Sequence, residues 1–164
     1  MADQEPTLHL VCGKIAAGKS TLCRRLAVSP QAVLISEDRW MARLFEQELR
    51  TVEDYVRYSA RLRAAMGEHV EDLLRAGLSV VLDFPANTVA NRKWMRGLFE
   101  NAGAAHQLHY LKISDATCRA RLQKRNADRE HEFQVTDEEF DRITGYFVPP
   151  AREEGFNVVV HSED

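Results

Sequence analysis

The residues best suited to chemistry stand close together near the start of the chain. Gly13-Lys14-Ile15-Ala16-Ala17-Gly18-Lys19-Ser20 fits the pattern G-x-x-x-x-G-K-[ST] in full. That spacing suits the binding of phosphate. Glycines at both ends let the backbone turn tightly and aim its N–H groups at anionic oxygens, Lys19 reaches the terminal phosphates, and the Ser20 hydroxyl ligates Mg²⁺. A helix beginning there adds the positive end of its dipole. Gly13, Lys14, Ala16, Ala17, Gly18, Lys19, Ser20 and Thr21 are therefore the candidate nucleotide contacts, with Lys14 equally readable as a solvated lysine.

Two carboxylates extend the set. Asp83 closes the apolar run Leu78–Leu82 (LSVVL), the form of an element that holds Mg²⁺ directly or through water. Asp38 follows the shorter run Ala32–Ile35 (AVLI), where a carboxylate would face the terminal phosphate and accept the proton of an attacking hydroxyl. Glu37 is its rival for that role. Arg39 and Trp40 come next, either as substrate contacts or as a surface arginine and a packed tryptophan.

Arginines form the third group. Arg119, Arg121, Lys124, Arg125 and Arg129 crowd one segment, with Arg121 and Arg125 four residues apart on one helix face. A charge run is ordinarily a solvated face. Here it leads into a polar stretch, 126–135, of the length and composition of a lid, and arginine is the side chain that best stabilises charge on a phosphoryl group in transfer. Arg125 is the candidate catalytic arginine, Arg121 and Arg129 its partners, and His131 a bystander. Asn87 and Arg92, after Asp83, read as a helix cap and a substrate contact, or as structural residues. His9, His69, His106, His109 and His161 show no ligand spacing and read as structural, and Cys12 as buried and inert.

Such groups need elements to position them. The spacing predicts strands at 7–12, 32–35, 78–82, 108–113 and 156–160. It predicts helices at 19–28, 37–49, from a capping box at Thr51–Asp54 to Gly77, at 88–101, from Ser114 to about 125, and from a capping box at Thr136–Glu139 towards Phe147. Strands and helices alternate, and the strands are continuous apolar runs, so both sheet faces should be covered. That argues for an α/β fold with a parallel sheet between helices, and for a site at the carboxyl ends of the strands.

The bulk numbers agree with one domain, 1–164. Apolar residues make up 45% of 164 residues, enough for a core, and a net charge of −3 is not that of an obligate nucleic-acid binder. Three scattered cysteines read as reduced thiols. The acidic Met1–Pro6 segment has no leader-peptide pattern, and no apolar run is long enough to cross a membrane, so the expectation is a cytoplasmic monomer or homodimer.

With these residues assembled, the chain resembles the P-loop kinase superfamily, and is most similar to the branch holding zeta toxins, chloramphenicol phosphotransferase and the kinase domain of polynucleotide kinases. The resemblance rests on Gly13–Ser20 (GKIAAGKS), Asp38, Asp83 within VVLDFPAN, and Arg121-Leu-Gln-Lys-Arg125. It implies a five-stranded sheet in the order 2-3-1-4-5 with a short lid at about 126–135. It also implies Asp38 as base, Arg125 as lid arginine, and ATP and Mg²⁺ as cofactors. The absence of an Asn-Lys-x-Asp guanine-reading motif favours ATP over GTP. The expected reaction is transfer of the γ-phosphoryl group of Mg·ATP to a hydroxyl of a small molecule, an antibiotic or a metabolite. Residues 40–66, with Trp40, Phe45, Tyr55 and Tyr58, would wall its pocket. The alternatives are a polynucleotide 5′-hydroxyl kinase and a nucleotide-binding switch without transfer activity.

Overall fold

A computed structural model describes residues 4–128 and 135–163. The expected lid falls largely outside these residues, as do Arg129 and His131. Five strands, β1 (Thr7–Cys12), β2 (Ala32–Ser36), β3 (Ser79–Pro85), β4 (Ala105–Lys112) and β5 (Val158–Ser162), form one parallel sheet in the order β2-β3-β1-β4-β5. This is the expected order.

Helices cover both faces. On one side, Met41 of α2 (Glu37–Phe45), Leu62, Met66, Val70 and Leu74 of α3 (Val52–Arg75), and Met95, Leu98 and Phe99 of α4 (Val89–Ala102) pack against Leu8, Leu10, Val80, Leu82 and Leu108 of the sheet. On the other, Leu22 and Cys23 of α1 (Lys19–Leu26), Cys118 and Leu122 of α5 (Asp115–Asp128) and Phe140 of α6 (Asp137–Thr144) pack against Val11, Val81 and Leu111. Each central strand thus sends alternate side chains into two separate cores, which is why its sequence is apolar throughout.

Local signals set the helix ends. Thr51 accepts from the Asp54 N–H while Asp54 accepts from the Thr51 N–H, closing the capping box that starts α3. Gly77 ends that helix at φ 91°, a left-handed conformation that glycine adopts without a Cβ penalty. Several bounds differ from expectation. Helix α2 stops at Phe45, not Leu49, and β4 begins at Ala105, not Leu108. The first residues of β4 look polar because Thr7 pairs with Ala105 at the sheet margin, where His106 stacks on Phe99 with ring centroids 3.9 Å apart. Strand β3 runs on to Pro85, so Asp83 lies within the strand. There the register against β1 shifts between Leu10 and Val11, a bulge that re-aims the strand beside the site.

One arrangement across the sheet has no sequence signature. His9, His109 and His161, on β1, β4 and β5, form a row. His9 Nδ1 meets His109 Nε2 at 3.1 Å, and His109 Nδ1 meets His161 Nε2 at 3.1 Å. Burial, with the charges of its two neighbours, pushes the His109 pKa down to about 4. Unfolded, the same ring titrates near its ordinary value of 6.5. Between those values the unfolded chain takes up a proton that the fold refuses, so stability is full above about pH 6.5 and is lost as pH falls towards 4. The expected loss is about 3 kcal/mol. Urea titrations at a series of pH values should show it, and His109→Gln should flatten that part of the profile. An unchanged profile would mean the row carries no such linkage.

Candidate active site

The glycine-rich turn joins β1 to α1. Ala16 has φ 64° and Gly18 φ 103°, so successive amides converge into the concavity that binds anions. Ala16 is the one non-glycine residue at positive φ among the described residues, a strained position of the sort that functional loops retain. Gly13 is close-packed: a Cβ there would come within 3.2 Å of Ala17 and Leu111. Helix α1 opens at Gly18 without a side-chain cap, leaving its first N–H groups to a ligand.

Lys19 is half-buried and bends back over the turn, its Nζ donating to the carbonyls of Gly13 at 2.6 Å and Lys14 at 2.8 Å. Desolvation lowers its pKa, while Asp83, the buried thiols Cys12 and Cys118, and then Asp38 oppose that shift. The Ser20 hydroxyl donates to Asp83 Oδ2 at 2.9 Å. A hydroxyl and a carboxylate so paired suit Mg²⁺, which keeps most of its waters and takes one or two protein oxygens. The residues fit the nucleotide and metal expected of them. Among the described residues, no group of three or more His, Cys, Asp or Glu could hold a metal by protein ligands alone.

Across from the turn, α2 begins at Glu37 with Ser36 as its cap, accepting from the Arg39 N–H at 3.3 Å. The two neighbouring acids separate here. Glu37 is buried, 1% exposed, under the Tyr55 hydroxyl and beside Arg63. Asp38 is half-buried, and its charge reaches Lys19 on the turn and Arg125 at the end of α5. Arg125 is half-buried; desolvation lowers its pKa and Asp38 opposes that. Arg121 lies one turn earlier and donates to the Ala17 carbonyl at 3.2 Å. The structure thus brings Lys19, Asp38, Arg121 and Arg125 together around the turn. Arg39 is exposed and Trp40 is 40% exposed on α2.

Other expectations change. Lys14 pairs with Asp115 and sits over the Phe147 ring at 5.8 Å, so its ammonium is held outside the turn. The cap of α4 is Thr88, which accepts from the Asn91 N–H, and not Asn87. Asn87 instead clamps the turn. Its Oδ1 accepts from the Gly13 N–H at 2.9 Å and its Nδ2 donates to the Gly13 carbonyl at 2.9 Å. With both ends of its amide engaged, Asn87 braces the phosphate loop and is not a substrate contact. Arg92 is no substrate contact either. It is fully buried, and it binds Glu154 through Nε at 2.8 Å and Nη2 at 3.1 Å and the carbonyls of Ala86 and Val148 through Nη1. Phe45, Tyr55 and Tyr58 pack against the core and do not form an open aromatic wall, the Phe45 and Tyr58 rings lying 4.7 Å apart. Asn126, beside Arg125, was not singled out by the sequence. Its Nδ2 donates to the Val135 carbonyl at 2.6 Å, tying the end of α5 to the start of the α6 segment. No local pattern announces such a contact, because it depends on where the chain returns.

The comparisons with known proteins bear on this geometry. A family model described as an AAA domain, AAA_33, matches residues 8–150. The chain belongs to that family. AAA_33 and the order of its sheet place it in the P-loop kinase superfamily. No curated protein matches the sequence. Among solved structures, this AAA_33 chain is similar to a candidate kinase of Chloroflexus aurantiacus, with 19% identity and a TM-score of 0.79, over 97% of this chain and 89% of that one. It is also similar to Kti12 of Chaetomium thermophilum in complex with ADP-AlF3, at 17% identity and a TM-score of 0.70, over 96% and 89% of the two chains. A third likeness is to the APS kinase CysC of Mycobacterium tuberculosis in complex with AMPPNP and APS, at 15% identity and a TM-score of 0.64, over 98% and 90%. Identities this low establish a shared fold.

Proposed function

We propose that this AAA_33 protein is a kinase that moves the γ-phosphoryl group of Mg·ATP to a hydroxyl of a small-molecule acceptor. The observation that carries this reading is the placement of Asp38. It stands at the acceptor side of the phosphate turn, with its charge felt by both Lys19 and Arg125. A nucleotide switch needs a phosphate turn and a metal site, but it needs no half-buried carboxylate whose charge acts on both a turn lysine and a helix arginine. The nucleotides present in the Kti12 and APS kinase structures support a nucleotide on this turn as well.

The residues divide the work as follows. The turn amides and Lys19 hold the terminal phosphates. Ser20 and Asp83 would hold the Mg²⁺, which would supply neutralisation of the phosphate charge. Asp38 accepts the proton of the acceptor hydroxyl as the new P–O bond forms and the bond to ADP breaks. Arg125, with Arg121 behind it, offsets the negative charge on the phosphoryl oxygens in flight. Asn87 keeps the turn in shape through both hydrogen bonds to Gly13. Trp40, Val56 and Val89 leave apolar surface exposed on α2, α3 and the start of α4, the elements on the acceptor side, which suits an acceptor with an apolar body. No helix among the described residues is long and apolar enough to cross a membrane.

The test is incubation with γ-labelled ATP and Mg²⁺ against antibiotics, nucleosides, amino sugars and 5′-hydroxyl oligonucleotides. Label on one small-molecule acceptor, lost in Lys19→Ala, supports the proposal. Label on oligonucleotides alone selects the polynucleotide reading. Tight ATP binding with no labelled acceptor selects the switch.

A further inference from the structure

Resting on the kinase reading, we propose that Glu37 is a positioning residue that fixes the base Asp38 through a buried polar chain running from α3 to the end of β3. Glu37 is the first residue of α2 and the immediate neighbour of Asp38. Its Oε1 accepts from the Tyr55 hydroxyl, and its Oε2 lies 3.5 Å from Arg63 Nη2. Arg63 Nη1 donates to Asn91 Oδ1 at 2.9 Å, and Asn91 Nδ2 donates to the Pro85 carbonyl at 3.1 Å. One carboxylate therefore ties the first turn of α2 to α3, α4 and the strand that carries Asp83.

Packing alone does not ask for this arrangement. The side chain is 1% exposed and Met41, one turn later, is fully buried, so a leucine at position 37 would serve the core at lower desolvation cost. The chain is also left open at two atoms. Glu37 Oε2 and Arg63 Nε are buried and make no hydrogen bond. Buried polar networks of this kind define geometry more than they add stability. A shift of about 1 Å at a reacting group costs on the order of 100-fold in rate, so holding the turn that carries the base has a direct consequence for transfer. The groups facing Glu37 are Tyr55 and Arg63 from α3 and Asp38 from its own helix. The Glu37 charge therefore also acts on the basicity of Asp38.

The test compares Glu37→Leu, Glu37→Gln and Tyr55→Phe in the acceptor assay and by amide hydrogen exchange. Glu37→Leu should fold, keep its KM for ATP and lose roughly 10- to 100-fold in kcat. Glu37→Gln retains an acceptor for Tyr55, so it should recover most of kcat while moving the acid limb of the pH profile to lower pH. A Glu37→Leu protein that folds with wild-type kcat and acid limb overturns the proposal. If Glu37→Leu does not fold, a wild-type kcat and acid limb in both Glu37→Gln and Tyr55→Phe do the same. If the wild-type protein labels no acceptor, the kinase reading fails separately. The positioning role is then read from exchange at Arg39 and Trp40, expected about tenfold faster in Glu37→Leu and Tyr55→Phe with α1 unchanged. Wild-type exchange there overturns it.

Discussion

Replacing Asp38 by Asn should cut phosphoryl transfer by about 100- to 10,000-fold while leaving ATP binding nearly intact. The substitution keeps the side chain's size and removes its charge and its capacity to take a proton. The phosphate turn takes its shape from other bonds: Lys19 is held by the carbonyls of Gly13 and Lys14, and Gly13 by Asn87. The nucleotide contacts should therefore survive. Asp38 lies in the first turn of α2, where a negative charge is favoured by the helix dipole, so a small stability loss of about 0.3–1 kcal/mol is expected alongside. Thermal unfolding separates that loss from the catalytic one. Steady-state rates with a labelled acceptor and equilibrium binding of ATP give the measurement. Undiminished transfer in Asp38→Asn would remove Asp38 from the mechanism, and Glu37, sealed under Tyr55, is no substitute for it.

The second large effect is on stability. Arg92→Met should destabilise the protein by about 3–5 kcal/mol, the cost of breaking a buried charge pair by removing one partner. The Arg92 guanidinium gathers three separate parts of the chain: Glu154 near the start of β5, the Ala86 carbonyl after β3, and the Val148 carbonyl after α6. Methionine fills much of the volume but takes the guanidinium from both carbonyls and leaves the carboxylate with the Ala151 N–H and no paired charge. The hydrogen bonds from Arg92 hold the Glu154 carboxyl below its ordinary range, so this pair's contribution is present above the unfolded carboxyl pKa and is lost as pH falls through the lowered folded value. Guanidinium unfolding should show the loss as a lower midpoint with an unchanged slope. A loss under about 1 kcal/mol would mean the site relaxes around the missing charge. The phosphate turn should feel the change too, since Ala86 donates to the Val11 carbonyl and Asn87 binds Gly13 in the same loop.

The sequence by itself determined a good deal. It determined the element order, because continuous apolar runs alternate with segments of helical spacing, and those periods follow from backbone geometry alone. It determined the phosphate turn, because Gly18 at φ 103° and Lys19 behind it are local requirements of the loop. It determined the capping box at Thr51 and the side-chain cap at Thr136, which are also local. Tertiary structure decided the rest. It took Glu37 inward and left Asp38 at the cleft, a choice set by the α3 side chains Tyr55 and Arg63 and not by the dipeptide. It turned Asn87 from a cap into a clamp and Arg92 from a surface candidate into a buried hub, because their partners lie about 60 to 75 positions away in the chain. It lined up three histidines from strands that only the sheet brings together. A residue's type states which bonds it can make. Which of them it makes depends on what the fold places beside it, and long-range partners leave no trace in local spacing.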